Sequence, residues 1–175
     1  IVFASHHDDE VIGCGATIRK LTDSGCNVTV VFATSGHTGI DHTKTYEKNI
    51  VAQRAAEAEK VVKILGIKQT ISWGEKTQDL SYCSRLLHKA IILIRKYKPE
   101  LIITHSQYEK HKDHVILNKI ITQATWKASE DIMPTLGKKY RTPNLWAFEV
   151  VDVLPKIDFC IDVSEQFKFK LEAMK

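Results

Sequence analysis

Short apolar, β-branched runs alternate with longer segments that carry apolar residues at helical spacing, and this alternation constrains the fold more than any other feature. Ile1 to Ser5 reads as a buried strand, and Ile12, Ala16, Ile18 and Leu21 follow near helical spacing before Gly25 closes the segment. Val28 to Ala33 is a second buried strand. A long helical pattern then runs from Tyr46 through Ile50, Val51, Ala55, Ala58, Val61, Val62 and Leu65, with Gly66 as its stop. Ile67 to Trp73 reads as a weaker third strand, Leu80 to Tyr97 as a helix, and Leu101 to Thr104, after Pro99, as a fourth strand. A further helix starts at Val115 and keeps Leu117, Ile120, Ile121 and Ala124 on one side. The polar stretch from Ser129 to Asn144 reads as a surface loop. Leu145 to Val151 and Phe159 to Val163 read as two more strands, and Phe167 to Lys175 as the beginning of a helix.

Strands separated by helices can join one sheet only through crossovers, so the expected fold is α/β: a Rossmann-like three-layer αβα arrangement on a mostly parallel sheet. The expected strand order is 3-2-1-4-5 plus the C-terminal strands, with the first strand at the point where the order reverses. The 175 residues, 43% of them hydrophobic, suit a single domain over 1–175. Its ends read as trimmed, because residue 1 is Ile and already looks like strand.

In such sheets ligands collect beyond the carboxyl ends of the strands. After strand 1 comes Ser5-His6-His7-Asp8-Asp9-Glu10, and shortly after strand 4 comes His111-Lys112-Asp113-His114. If strands 1 and 4 are neighbours, the two clusters meet. His6, Asp8 or Asp9, and His114 would then form a two-histidine, one-carboxylate site of the kind that holds catalytic zinc with positions left open. A second carboxylate could act as general base, and a histidine held by an acid such as Asp113 could stabilise an oxyanion or protonate a leaving amine. Each element also has a plainer explanation. Asp8 and Asp9 could cap the following helix, and His111 and His114 could be exposed residues at a helix start. Gly13-Cys14-Gly15 resembles part of a dinucleotide loop, but Ile18 stands where the third glycine belongs. His37, His42, His88 and His105 are not needed for the site.

The 25 basic and 21 acidic residues are interleaved, so a net charge of +4 gives no one-sign block of the kind that binds nucleic acid or anionic membranes. No apolar run approaches the ~20 residues that span a bilayer. Cys14, Cys26, Cys83 and Cys160 lack metal or disulfide spacing, and read as buried thiols in a reducing, cytoplasmic setting.

The two clusters and the residues between them resemble the LmbE-like, or PIG-L, family of zinc-dependent N-deacetylases. That family carries an (A/P)HPDDE motif after its first strand and an HxDH motif after its fourth. Gly13 and Gly15, then Thr34, Ser35, Gly36 and Gly39, then Arg54 with Glu57 and Leu65-Gly66-Ile67 extend the likeness over nearly the whole chain. The resemblance implies Zn²⁺ on His6, Asp9 and His114, Asp8 as general base, His111 oriented by Asp113 as oxyanion stabiliser, and Arg54 in contact with substrate. It implies a small-molecule partner, an N-acetylglucosamine unit on inositol, lipid-linked inositol, malate or another sugar, with acetate and a free amine as products. The competing expectation is a metal-dependent sugar-binding or scaffold subunit on the same fold. A homo-oligomer is compatible with either. Two residues depart from the pattern: His7 stands in place of the family proline, and His37 where relatives often have an acid.

Overall fold

The computed structural model describes residues 1–35, 56, 57 and 59–175. Among the described residues five strands form one sheet: β1 (Val2–Ala4), β2 (Thr29–Thr34), β3 (Gln69–Glu75), β4 (Leu101–His105) and β5 (Asn144–Phe148). Their order is β3-β2-β1-β4-β5. Every neighbouring pair is parallel, as the alternating pattern requires. The helices are α1 (Asp9–Asp23), α2 (described over 59–65), α3 (Ser84–Tyr97), α4 (Lys112–Ser129) and α5 (Phe167–Ala173).

Strand side chains alternate between two cores, which accounts for the near-continuous apolar runs of β1 and β2. Phe3, Val31, Ala33 and Ile102 face Leu86, Ile91 and Ile94 of α3 and Leu117, Ile120 and Ile121 of α4. Val2, Ala4, Val30, Phe32 and Ile103 face Val11 and Ile18 of α1 and Val61 and Leu65 of α2. Gly13 is required by close approach: a Cβ there would collide with the Phe148 ring of β5. At the end of α2, Gly66 takes the left-handed φ of +70° that stops a helix without steric cost.

Four elements differ from expectation. The helix placed at Leu80 starts at Ser84, because the backbone N–H groups of Gln78 and Leu80 turn to the Asp113 carboxylate, with Gln78 at a φ of +63°. The strand placed at Leu145 to Val151 ends at Phe148, because the N–H groups of Val150 and Val151 are taken by the Glu109 carboxylate rather than by a ladder. The strand placed at Phe159 to Val163 does not form. There Phe159 packs on Trp146 with ring centroids 5.0 Å apart, and Asp162 accepts from the backbone and hydroxyl of Ser164, which makes a local turn. The Ser129 to Asn144 loop contains a short 3-10 turn, Pro134–Leu136, and is gathered around the buried Arg95 of α3. That guanidinium donates to the carbonyls of Lys127, Ala128, Glu130, Ile132, Met133 and Gly137. Of the four cysteines only Cys14 is buried; Cys26 and Cys160 are exposed. Among the described residues no helix is long and apolar enough to cross a membrane.

Candidate functional site

Because β1 and β4 are neighbours, their carboxyl ends bring the two clusters together. Val2 lies beside Ile103 in the ladder, so chain leaving Ala4 and chain leaving His105 emerge side by side. His6 and Asp9 arrive from the β1 tip and the first turn of α1, His111 and His114 from the start of α4. Asp9 Oδ2 lies 3.1 Å from His6 Nδ1 and 3.3 Å from His114 Nε2. The two nitrogens are themselves 3.3 Å apart. Three ligand-type atoms thus form a nearly equilateral triangle at the strand tips.

The far nitrogen of each histidine is committed to a carboxylate. His6 Nε2–H donates to Asp113 Oδ2 at 3.1 Å, and His114 Nδ1–H donates to Glu109 Oε2 at 3.2 Å. A carboxylate can only accept, so Asp113 and Glu109 favour protons on the outer nitrogens, as metal binding by the inner nitrogens requires, while Asp9 competes for a proton on the inner side. Lone pairs meeting a carboxylate at these distances need a cation between them. In the metal-free site that cation is a proton. Burial alone would lower the His6 imidazole, but the Asp113 and Asp9 carboxylates outweigh it and raise it to about 9. Burial alone would raise Asp9, yet His105, His114 and His6 hold it well below the usual carboxylate range.

A divalent ion fits the same place. Four tetrahedral ligands at zinc-like bond lengths stand about 3.3 Å from one another, which matches the 3.1, 3.3 and 3.3 Å edges of the triangle. Two wider sets, His6–His111–His114 and Asp9–His105–His114, also keep their ligand atoms within 4.8 Å. In the second set His105 is the weaker donor. Its Nε2 already accepts the Ser5 N–H at 2.9 Å, and its ring is stacked on His114 with centroids 3.9 Å apart.

Asp8 occupies the cap position of α1, but its side chain makes no capping hydrogen bond, so the helix-cap explanation does not account for the carboxylate. It is exposed and lines a cavity of about 430 Å³ together with His7, Glu10, Glu57, Lys60 and Ile64. Glu10 is buried, and that burial raises its carboxyl to about 8, so it is neutral at pH 7. His7 stacks on Phe32 of β2 at 4.1 Å. A larger cavity of about 810 Å³ lies beside β5, and neither cavity is lined by His6, Asp9, His111 or His114.

His111 differs from expectation in how it is held. The Asp113 carboxylate faces His6, and it is the backbone N–H of Asp113 that donates to His111 Nδ1, at 3.2 Å, as a helix cap. The lone pair is therefore on Nδ1, which leaves Nε2–H as the ring's donor. Burial lowers this imidazole, and the neighbouring His114 and His6 add to the effect, so His111 is a neutral donor rather than an imidazolium. Burial would raise Asp113, but His6 and the Gln78 N–H hold it below the ordinary range. Arg54 and His37 lie outside the described residues. Sequence reading missed Glu109, whose only signal was an acid five residues before His114.

This constellation gathers candidate metal-ligating residues at the strand tips of a parallel sheet. The family model described as PIG-L, GlcNAc-PI de-N-acetylase, matches residues 1–125, and the chain belongs to that family. Diacetylchitobiose deacetylase of Thermococcus kodakarensis is 31% identical over 177 residues, covering 97% of this chain and 65% of its own length. The chain therefore spans less than two thirds of that relative. The N,N'-diacetylchitobiose deacetylase structure from Pyrococcus horikoshii superimposes with a TM-score of 0.90 at 22% identity, covering 99% of this chain and 67% of that one. A 4-carboxy-2-hydroxymuconate hydratase structure from Pseudomonas putida gives 0.88 at 20%, covering 99% and 76%. One fold thus carries different reactions, and function must be argued from the site.

Proposed function

We propose that the chain is a zinc-dependent hydrolase that removes the acetyl group from an N-acetylglucosamine-containing substrate. The observation that carries this reading is the pair of histidines whose outer nitrogens are fixed on Glu109 and Asp113 while their inner nitrogens and Asp9 Oδ2 close a triangle of 3.1 to 3.3 Å. His6, Asp9 and His114 would hold the ion. Zinc bound there supplies Lewis acidity toward the acetamide carbonyl and acidifies a water.

The chain's own groups carry the remaining steps. Asp8, exposed at the cavity and not used as a helix cap, takes a proton from the attacking water as its oxygen bonds to the acetyl carbon. His111 Nε2–H donates to the carbonyl oxygen as negative charge develops there, its direction set by the α4 cap. When the C–N bond breaks, the proton held by Asp8 passes to the leaving nitrogen, giving acetate and a free amine. Asp113 orients His6, and Arg54 contacts the sugar.

Deacetylase relatives in the same family support this chemistry over the hydratase alternative. The test is acetate release from free, inositol-linked and oligomeric N-acetylglucosamine by zinc-loaded protein, with chelator-treated protein as control. Release that chelation abolishes and zinc restores is expected. Sugar binding without release would replace the catalytic reading with that of a sugar-binding subunit.

A further inference from the structure

We propose that Glu109 is a positioning residue that fixes the tautomer of His114 and ties that ring to the backbone just beyond β5. The inference deepens the metal-site reading above and rests on it for its consequence, though not for its geometry. The Glu109 side chain is fully buried, and it reaches two places at once. Oε1 accepts the Val150 N–H at 2.6 Å and the Val151 N–H at 3.2 Å, while Oε2 lies 3.2 Å from both the Val151 nitrogen and His114 Nδ1. The backbone donors hold the carboxylate in place without help from His114. The carboxylate in turn draws the His114 proton to Nδ1, in competition with Asp9 Oδ2 at 3.3 Å from Nε2, and so keeps Nε2 bare toward His6 and Asp9.

A purely structural role would need only an acceptor for Val150 and Val151, and glutamine would supply one. The two roles therefore separate at Glu109→Gln. Two backbone donors claim the amide oxygen, so the amide NH₂ must face His114 Nδ1. That nitrogen then has to accept, and the proton moves to Nε2, into the position that a metal would occupy.

The test is long-range ¹H–¹⁵N correlation on metal-free, histidine-labelled protein, followed by zinc titration against a competing chelator. In the parent, His114 is expected with Nδ1 protonated and Nε2 bare. In Glu109→Gln the expected tautomer is reversed, and zinc affinity falls about ten- to a hundredfold. A parent His114 protonated at Nε2, or a Glu109→Gln protein with unchanged tautomer and affinity, overturns the proposal. If Glu109→Gln does not fold, the parent tautomer decides alone. If the parent tautomer is as stated but the parent takes up no zinc, the metal-site reading fails and the role of Glu109 stands.

Discussion

Zinc uptake by metal-free protein should depend steeply on pH, because the ion must displace the proton held on His6. That ring lies 3.1 Å from both Asp9 and Asp113, and the two carboxylates raise it to about 9 against the opposing effect of burial. At pH 7, two units below that value, about one molecule in a hundred has a neutral His6, so binding starts with a penalty of about 2.7 kcal/mol. The sign follows directly: affinity is weakest in acid, rises about tenfold per pH unit up to about 9, and flattens above. From about pH 6.5 to 8.5 the apparent Kd should fall about a hundredfold. Competition against a chromophoric chelator measures the slope. Calorimetry in two buffers of different ionisation enthalpy counts the protons, with about one released by the protein per zinc at pH 7. A flat affinity over that range, with no proton released, would refute the assignment of His6 as a ligand poised between two acids.

Stability of the metal-free protein should move the opposite way with pH. His6, raised from 6.5 to about 9, contributes stability that is complete below 6.5 and lost as pH climbs through about 9, and Glu10, raised from 4.5 to about 8, acts in the same direction over its own range. From these two groups urea midpoints should drop between pH 6.5 and 9 by the equivalent of about 4 to 5 kcal/mol, and a rising midpoint would contradict the arrangement. Arg95→Met leaves six buried or half-buried carbonyls without their shared donor; a loss of at least about 3 kcal/mol is expected in denaturant unfolding, against near-neutrality if the loop needs no cation. Gly13→Ala forces a methyl into the Phe148 ring, and thermal unfolding should register about 1 to 3 kcal/mol of destabilisation.

The parts of this molecule that follow from local chemistry were legible before any coordinates. β1, β2 and β4 are continuous apolar runs, the helices carry their spacing in the chain, and crossovers require a parallel sheet, for which 3-2-1-4-5 was the expected order and is the observed one. That order placed His6 and Asp9 beside His114 without any assumption about function. What could not be read depends on where backbone N–H groups turn once the sheet exists. The Glu109 carboxylate captures Val150 and Val151, 41 and 42 residues away, and so shortens β5. Gln78 and Leu80 turn to Asp113 and delay the start of α3. Asp113 itself was assigned to His111 by adjacency, yet helix geometry sends its carboxylate to His6 and gives His111 only its backbone N–H. Phe159 to Val163 has the composition of a strand, but it forms none.

In the proposed mechanism Asp8 moves a proton while His6, Asp9 and His114 hold the ion, and one variant separates the two tasks. Both the parent and Asp8→Asn should be isolated with about one zinc per chain, and the variant should release acetate from N-acetylglucosamine conjugates about a hundred to ten thousand times more slowly. An Asp8→Asn protein that has lost its zinc, or that keeps it and still turns over at the parent rate, would contradict that division of labour.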